Sequence, residues 1–178
     1  MNEHTTILRA TVALAFATAL GACDAGAPTA NGNITASATN QAVLPLKKPA
    51  KADGVTVTVD HVEQSAQAGP GGVAGKAGQG ETFVIAYYSL KNTGSEPLSV
   101  MSLPSFSLID RTGTSYARDE IASTTLSAVT DASGLSGDIN PNVTVRSVAA
   151  WKVDRKAFDR ATWRVVASTE PQLAFALK

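Results

Sequence analysis

Two histidines and one cysteine, His4, His61 and Cys23, are all that the chain offers for relay, metal or thiol chemistry. His61 is the only histidine beyond the apolar N-terminal run, so a general base or an imidazole ligand would have to be that residue. Asp60 precedes it directly. Neighbours on a regular strand point to opposite faces, so Asp60 could not orient the His61 ring there. The pair therefore reads as strand-end surface residues rather than a hydrolytic relay. Gly69-Pro70-Gly71-Gly72-Val73-Ala74 matches G-x-G-x-x-A formally, but Gly75, Gly78 and Gly80 break any helix that would hold a pyrophosphate at its N-terminus. Gly75-Lys76 fails as a phosphate loop, because Pro70 stands at the first glycine and Ala77 at the Ser/Thr position. Residues 69–80 read instead as a flexible hairpin loop. Asp138, Asn140 and Asn142 imitate the opening of a calcium loop, yet Val143 replaces its glycine and Ala149 its closing glutamate. Asp119 and Glu120 read as solvated loop residues. No catalytic residue, metal or cofactor is expected.

The single cysteine has a different explanation. One cysteine excludes an intramolecular disulfide and a multi-cysteine zinc site. Thr11 to Leu20 is an apolar run of signal-peptide length, too short for a permanent membrane span, with Arg9 ahead of it offset by Glu3. It ends in Leu20-Gly21-Ala22-Cys23, which resembles the bacterial lipobox. That resemblance implies cleavage before Cys23, with palmitate-type acyl chains on its thiol and on the new N-terminus. Two or three such chains, at about 0.8 kcal/mol per buried methylene, anchor a domain that one chain holds marginally. The alternative is a conventional signal peptide cut near Ala25 to Ala27. Asp24 resembles the signal that retains enterobacterial lipoproteins in the inner membrane, so the expected place is the periplasmic face of the cell envelope, with the inner membrane favoured.

Lysine plus arginine balance aspartate plus glutamate at 15 each. Residues 1–22 carry one of each sign, Arg9 and Glu3, so 14 of each remain after their removal. A neutral surface gives no electrostatic footprint for nucleic acid, and none is expected as a partner. Residues 23–53 form the lipidated N-terminus and a polar, aperiodic linker whose roughly 28 residues span on the order of 30 Å. Lys47, Lys48 and Lys51 read as solvated linker charges rather than lipid contacts.

Residues 54–178 hold the folded domain. Thr82 to Asn92 is rich in aromatic and β-branched residues and apolar on both faces, with Val84, Ala86, Tyr88 and Leu90 on one side and Phe83, Ile85 and Tyr87 on the other. Such a strand is central. Gly54 to Val62 alternates until the phase slips at His61, which predicts a bulge or the strand's end. Leu98 to Leu103, Phe106 to Asp110, Thr114 to Ala117, Val143 to Asp154, Thr162 to Ser168 and the terminal Leu173, Phe175, Leu177 segment supply partners. A helical turn around Phe158 is expected, and 119–138 reads as a polar loop. About seven short strands without a long amphipathic helix argue for an all-β, antiparallel β-sandwich.

Gly80 to Leu98 and Phe106 to Tyr116 together resemble the DUF4352 family, a telokin-like, MPT63-like group of immunoglobulin-like domains, and Val143 to Asp154 resembles its later strand. The match covers most of 54–178, and its motifs are structural. The resemblance implies an immunoglobulin-like sandwich behind a lipobox and a polar tether, and carries no chemistry with it. The expected function is a membrane-anchored, non-enzymatic interaction module with an envelope protein as partner. The alternative is an accessory that binds a small ligand or ion through loops 69–80 and 119–138. A hydrolase acting through His61 is the remaining class.

Overall fold

The structure, a computed structural model, describes residues 42–130, 132 and 137–178. The strand apolar on both faces is β4 (Glu81–Asn92), and it lies between β3 (Val55–Ser65) and β7 (Thr144–Asp154), antiparallel to both. With β2 (Ala50–Ala52) these make a four-stranded sheet in the order β2-β3-β4-β7. The second sheet holds β1 (Val43–Leu44), β5 (Phe106–Ile109), β6 (Ser115–Tyr116), β8 (Arg164–Ala167) and β9 (Leu173–Ala176), in the order β1-β9-β8-β5-β6. All pairings are antiparallel except β1 with β9, which is parallel.

The core between the sheets is the one that residue alternation requires. Val84, Ala86, Tyr88 and Leu90 of β4 meet Trp151 and Val153 of β7, Val165 and Phe175 come from the facing sheet, and Trp163 enters from the residue just before β8. Burying each large aliphatic or phenyl side chain contributes roughly 1.5–3 kcal/mol relative to exposure. Asn92 ends β4 inside this region at 2% exposure. Its side-chain amide donates to the Glu96 and Ile139 carbonyls, both at 2.8 Å, and its Oδ1 accepts from Gly94 N. Three segments are thereby joined at one fully bonded polar group.

Several elements differ from the sequence-based expectation. The polar stretch after Ala117 contains a helix, α1 (Glu120–Val129), capped by Asp119, whose carboxylate accepts from Ala122 N. Its buried face is only Ala122, Ser123 and Leu126, too narrow and too rich in small residues to register as an amphipathic stripe. Leu98 to Leu103 is not a strand: Leu98 makes an isolated bridge with Ile139, and Val100–Ser102 is a short 3-10 turn. Asp138 to Asn142 is correspondingly a turn, with Ile139 buried and Val143 N bonded to Asn140 O. Residues 42–53, read as tether, already belong to the sandwich, because β1 and β2 pair with β9 and β3 while Leu44, Leu46 and Ala50 pack on the core. The folded body thus reaches back to about β1 rather than beginning at 54. Strands of two and three residues interrupted by Pro45 and Pro49 leave no period to read. Residues 1–22 and 23–41 lie outside the described residues.

Candidate functional site

The outer face of the four-stranded sheet, the side turned away from the facing sheet, is half covered. α1 and the glycine-rich loop lie over one end, where Phe83, Ile85, Val148 and Ala150 pack with Ala68, Ala74 and Leu126. α1 is fastened through its first turn: Asp119 N donates to Ala150 O at 2.8 Å, and Ser123 Oγ accepts from Ala150 N at 2.9 Å. The loop is fastened as well, by Ala68 N to Gly75 O and Ala74 N to Ala68 O. Gly69 has φ 76°, and a Cβ there would lie 3.0 Å from Val73 and 3.2 Å from Leu126. Residues 69–80 keep the expected hairpin, with Gln67 bridging Lys76, but fold it into a compact lid on a small core. Only the three-residue 3-10 turn Pro70–Gly72 occurs in it, so the formal dinucleotide match has no helix to follow it.

Beyond the end of α1 the same face lies open as a cavity of about 410 Å³. β3 builds one wall through a bulge: its pairing with β4 shifts register between Val59 and His61, and Lys47 N bonds the Val59 carbonyl at 2.7 Å. The phase slip at His61 is thus a bulge within a strand that runs on to Ser65. Its consequence corrects the expectation for Asp60. As the extra residue, Asp60 escapes strict alternation and lines the same cavity as His61.

His61 pairs with Tyr87 across the strands, and their rings stack at 4.2 Å with planes 10° apart. Tyr87 Oη donates to Glu63 Oε1 at 3.0 Å, which holds the phenol, and both stacked residues line the cavity. Partial burial, followed by the Glu63 charge and hydrogen bond, pushes the Tyr87 pKa up to about 12. On the other side, the β4–β7 register sets Ser89 beside Arg146 and Lys91 beside Thr144. Arg146 is exposed and lines the cavity, while the two ion pairs among the described residues join Arg118 to Glu120 and Lys152 to Asp119. Thr130 and Ala132, just past α1, close the rim.

Asp60, His61 and Ser89 have the residue types of a hydrolytic triad, yet no hydrogen bond joins His61 to either neighbour among the described residues, and its ring is committed to Tyr87. The arrangement instead suits recognition: a fixed aromatic platform, one guanidinium, one carboxylate and hydroxyls around a recess. Of the alternative ligand loops, 119–138 contributes the rim through Thr130 and Ala132, while 69–80 is spent on the covered end. Asp119 caps α1 and Glu120 pairs with Arg118 at 2.6 Å. Among the described residues no group of three or more His, Cys, Asp or Glu is placed to hold a metal, and no helix is long and apolar enough to cross a membrane. Leu20, Gly21, Ala22, Cys23 and Asp24 lie outside the described residues. Sequence reading missed Ser89, Thr144 and Arg146. The visible signal for them was the polar run of alternate positions at the ends of two otherwise apolar strands.

A family model described as a domain of unknown function, DUF4352, matches residues 44–162. The chain is 37% identical over 122 residues to the uncharacterized protein YxkC of Bacillus subtilis, covering 67% of this chain and 68% of that one. Among solved structures, a conserved hypothetical protein from Bacillus anthracis superposes with a TM-score of 0.64 at 23% identity, over 74% of this chain and 94% of that one. An uncharacterized β-sandwich protein from Clostridium difficile superposes with a TM-score of 0.51 at 13% identity, over 78% and 96%. At these identities the solved structures speak to the fold, which is the same β-sandwich.

Proposed function

This chain belongs to the DUF4352 family, and on that premise we propose that it is a lipid-anchored, non-enzymatic binding module of the bacterial cell envelope. Cys23 carries the acyl anchor on the periplasmic face, and Asp24 keeps the protein at the inner membrane. The sandwich then offers the open end of the β3–β4–β7 face to a partner without transforming it. The observation that carries this reading is the cavity itself: His61, Tyr87 and Arg146 converge from three adjacent strands, on rigid elements, and among the described residues no linked hydrogen bonds of a proton relay join them. Lipid at Cys23 supplies attachment that no described helix provides.

Membrane fractionation of the full chain tests the anchor. The wild type should sediment with membranes and Cys23→Ser should move to the soluble fraction, whereas equal membrane association of both would refute it. Turnover of a substrate by the purified chain, abolished in His61→Ala, would refute the non-enzymatic part.

A further inference from the structure

Resting on that binding reading, we infer that the cavity bounded by His61, Tyr87 and Arg146 is a site for a saccharide carrying a carboxylate. The charges decide the class. Arg146 presents a planar fork of donors that matches a carboxylate. Asp60 faces the same space, and its charge would repel a bare anion such as phosphate, but it accepts hydrogen bonds well from hydroxyl groups. A polyol with one negative charge uses both, with Ser89 and Thr144 supplying further hydroxyls.

The platform points the same way. His61 lies flat on Tyr87, and Glu63 holds the phenol, so the stacked pair is a preset aromatic wall of the cavity for the apolar face of a sugar ring. Glu63 itself is engaged by Tyr87, leaving Asp60 as the acceptor. A volume of about 410 Å³ falls within the roughly 300–1,000 Å³ typical of small-molecule sites. Two other cavities among the described residues fit less well. In the recess of about 280 Å³ beside Tyr88 and Leu103, the Arg118 guanidinium is already held by Glu120. In the one beside Trp163, Asp110 and Asp159 accept from their own turns.

Binding to the full chain in detergent is measured by calorimetry with three probes. N-acetylmuramic acid and N-acetylglucosamine differ by the lactyl group that bears the carboxylate, and acetyl-D-alanyl-D-alanine presents a carboxylate without a sugar. The acid sugar should bind saturably and the other two at least about tenfold more weakly, the span of one charge-assisted contact. Arg146→Gln should weaken the acid sugar about tenfold or more and erase its advantage over the neutral one, and His61→Ala should weaken both sugars. Thermal transitions should match the wild type, since both side chains are exposed. Should either variant unfold, Arg146→Lys gives the same comparison with the charge kept and the fork lost. Equal binding of the two sugars, preference for the dipeptide, indifference to Arg146→Gln, or no binding at all would overturn the assignment. Failure of the Cys23 fractionation would leave it standing, and its own failure would leave the anchor standing.

Discussion

The two ends of one sheet face differ more than the sheet's two faces do. At one end of β4, Phe83 and Ile85 are at most 1% exposed under α1 and the glycine-rich loop; two residues further along the same face, Tyr87 is half-buried and Ser89 opens to the cavity. The difference is a matter of length. A helix of 10 residues covers about 15 Å, while a strand of 12 residues runs about 40 Å. What α1 leaves uncovered must be polar enough to face water, and a bulge then bends it into a recess. The covered end is held by packing and by bonds of α1 to the N–H and C=O of one residue, Ala150. The open end is held by strand pairing and a few surface contacts, the His61–Tyr87 stack and the Tyr87–Glu63 bond, and can therefore carry function with little effect on stability.

The sharpest way to break this contrast is to remove the helix's apolar anchor. Leu126 is fully buried, so Leu126→Ala should cost about 2–5 kcal/mol in urea unfolding. A cost within the range of surface substitutions would mean that α1 does not cover the sheet. Ser123→Ala tests the fastening. It leaves the buried Ala150 N–H without its acceptor and should cost about 1–3 kcal/mol, while Ser123→Thr, which keeps the hydroxyl, should recover part of that.

The smallest effect belongs to the open end. Ultraviolet titration, taken as the difference between wild type and Tyr87→Phe, should place the Tyr87 phenol near pH 12. A folded-state pKa above the unfolded value favours the neutral phenol. The linked stability is therefore fully present below about pH 10 and lost as pH rises through about 12. Glu63→Gln should lower the value without restoring the ordinary one, because burial is the larger cause. A midpoint near 10 in the wild type would show that Tyr87 is not held half-buried against Glu63.

Period-two patterning made β4, β7, β8 and β9 legible, since each alternates apolar residues into the core and a sandwich demands it. The slip at His61 was legible as a bulge or a strand end, and strand pairing decides for the bulge. What it does to Asp60 was not legible, because alternation describes regular strands and a bulge suspends it. α1 escaped notice for a related reason. Ser, Thr and Ala form most of it, Ile121 on its outer side is 80% exposed, and its stability comes from contacts with Ala150 that lie 27 positions from Ser123 in the chain.

The amino-acid sequence by itself determined the sandwich, its central strand, the expectation of an acyl anchor at Cys23 and the family resemblance, because each rests on short-range pattern. Only tertiary structure decided where the chain can bind. Arg146 lies more than fifty residues from Ser89 and more than eighty from His61, and antiparallel register, a bulge and the length of one helix bring the three to a single recess.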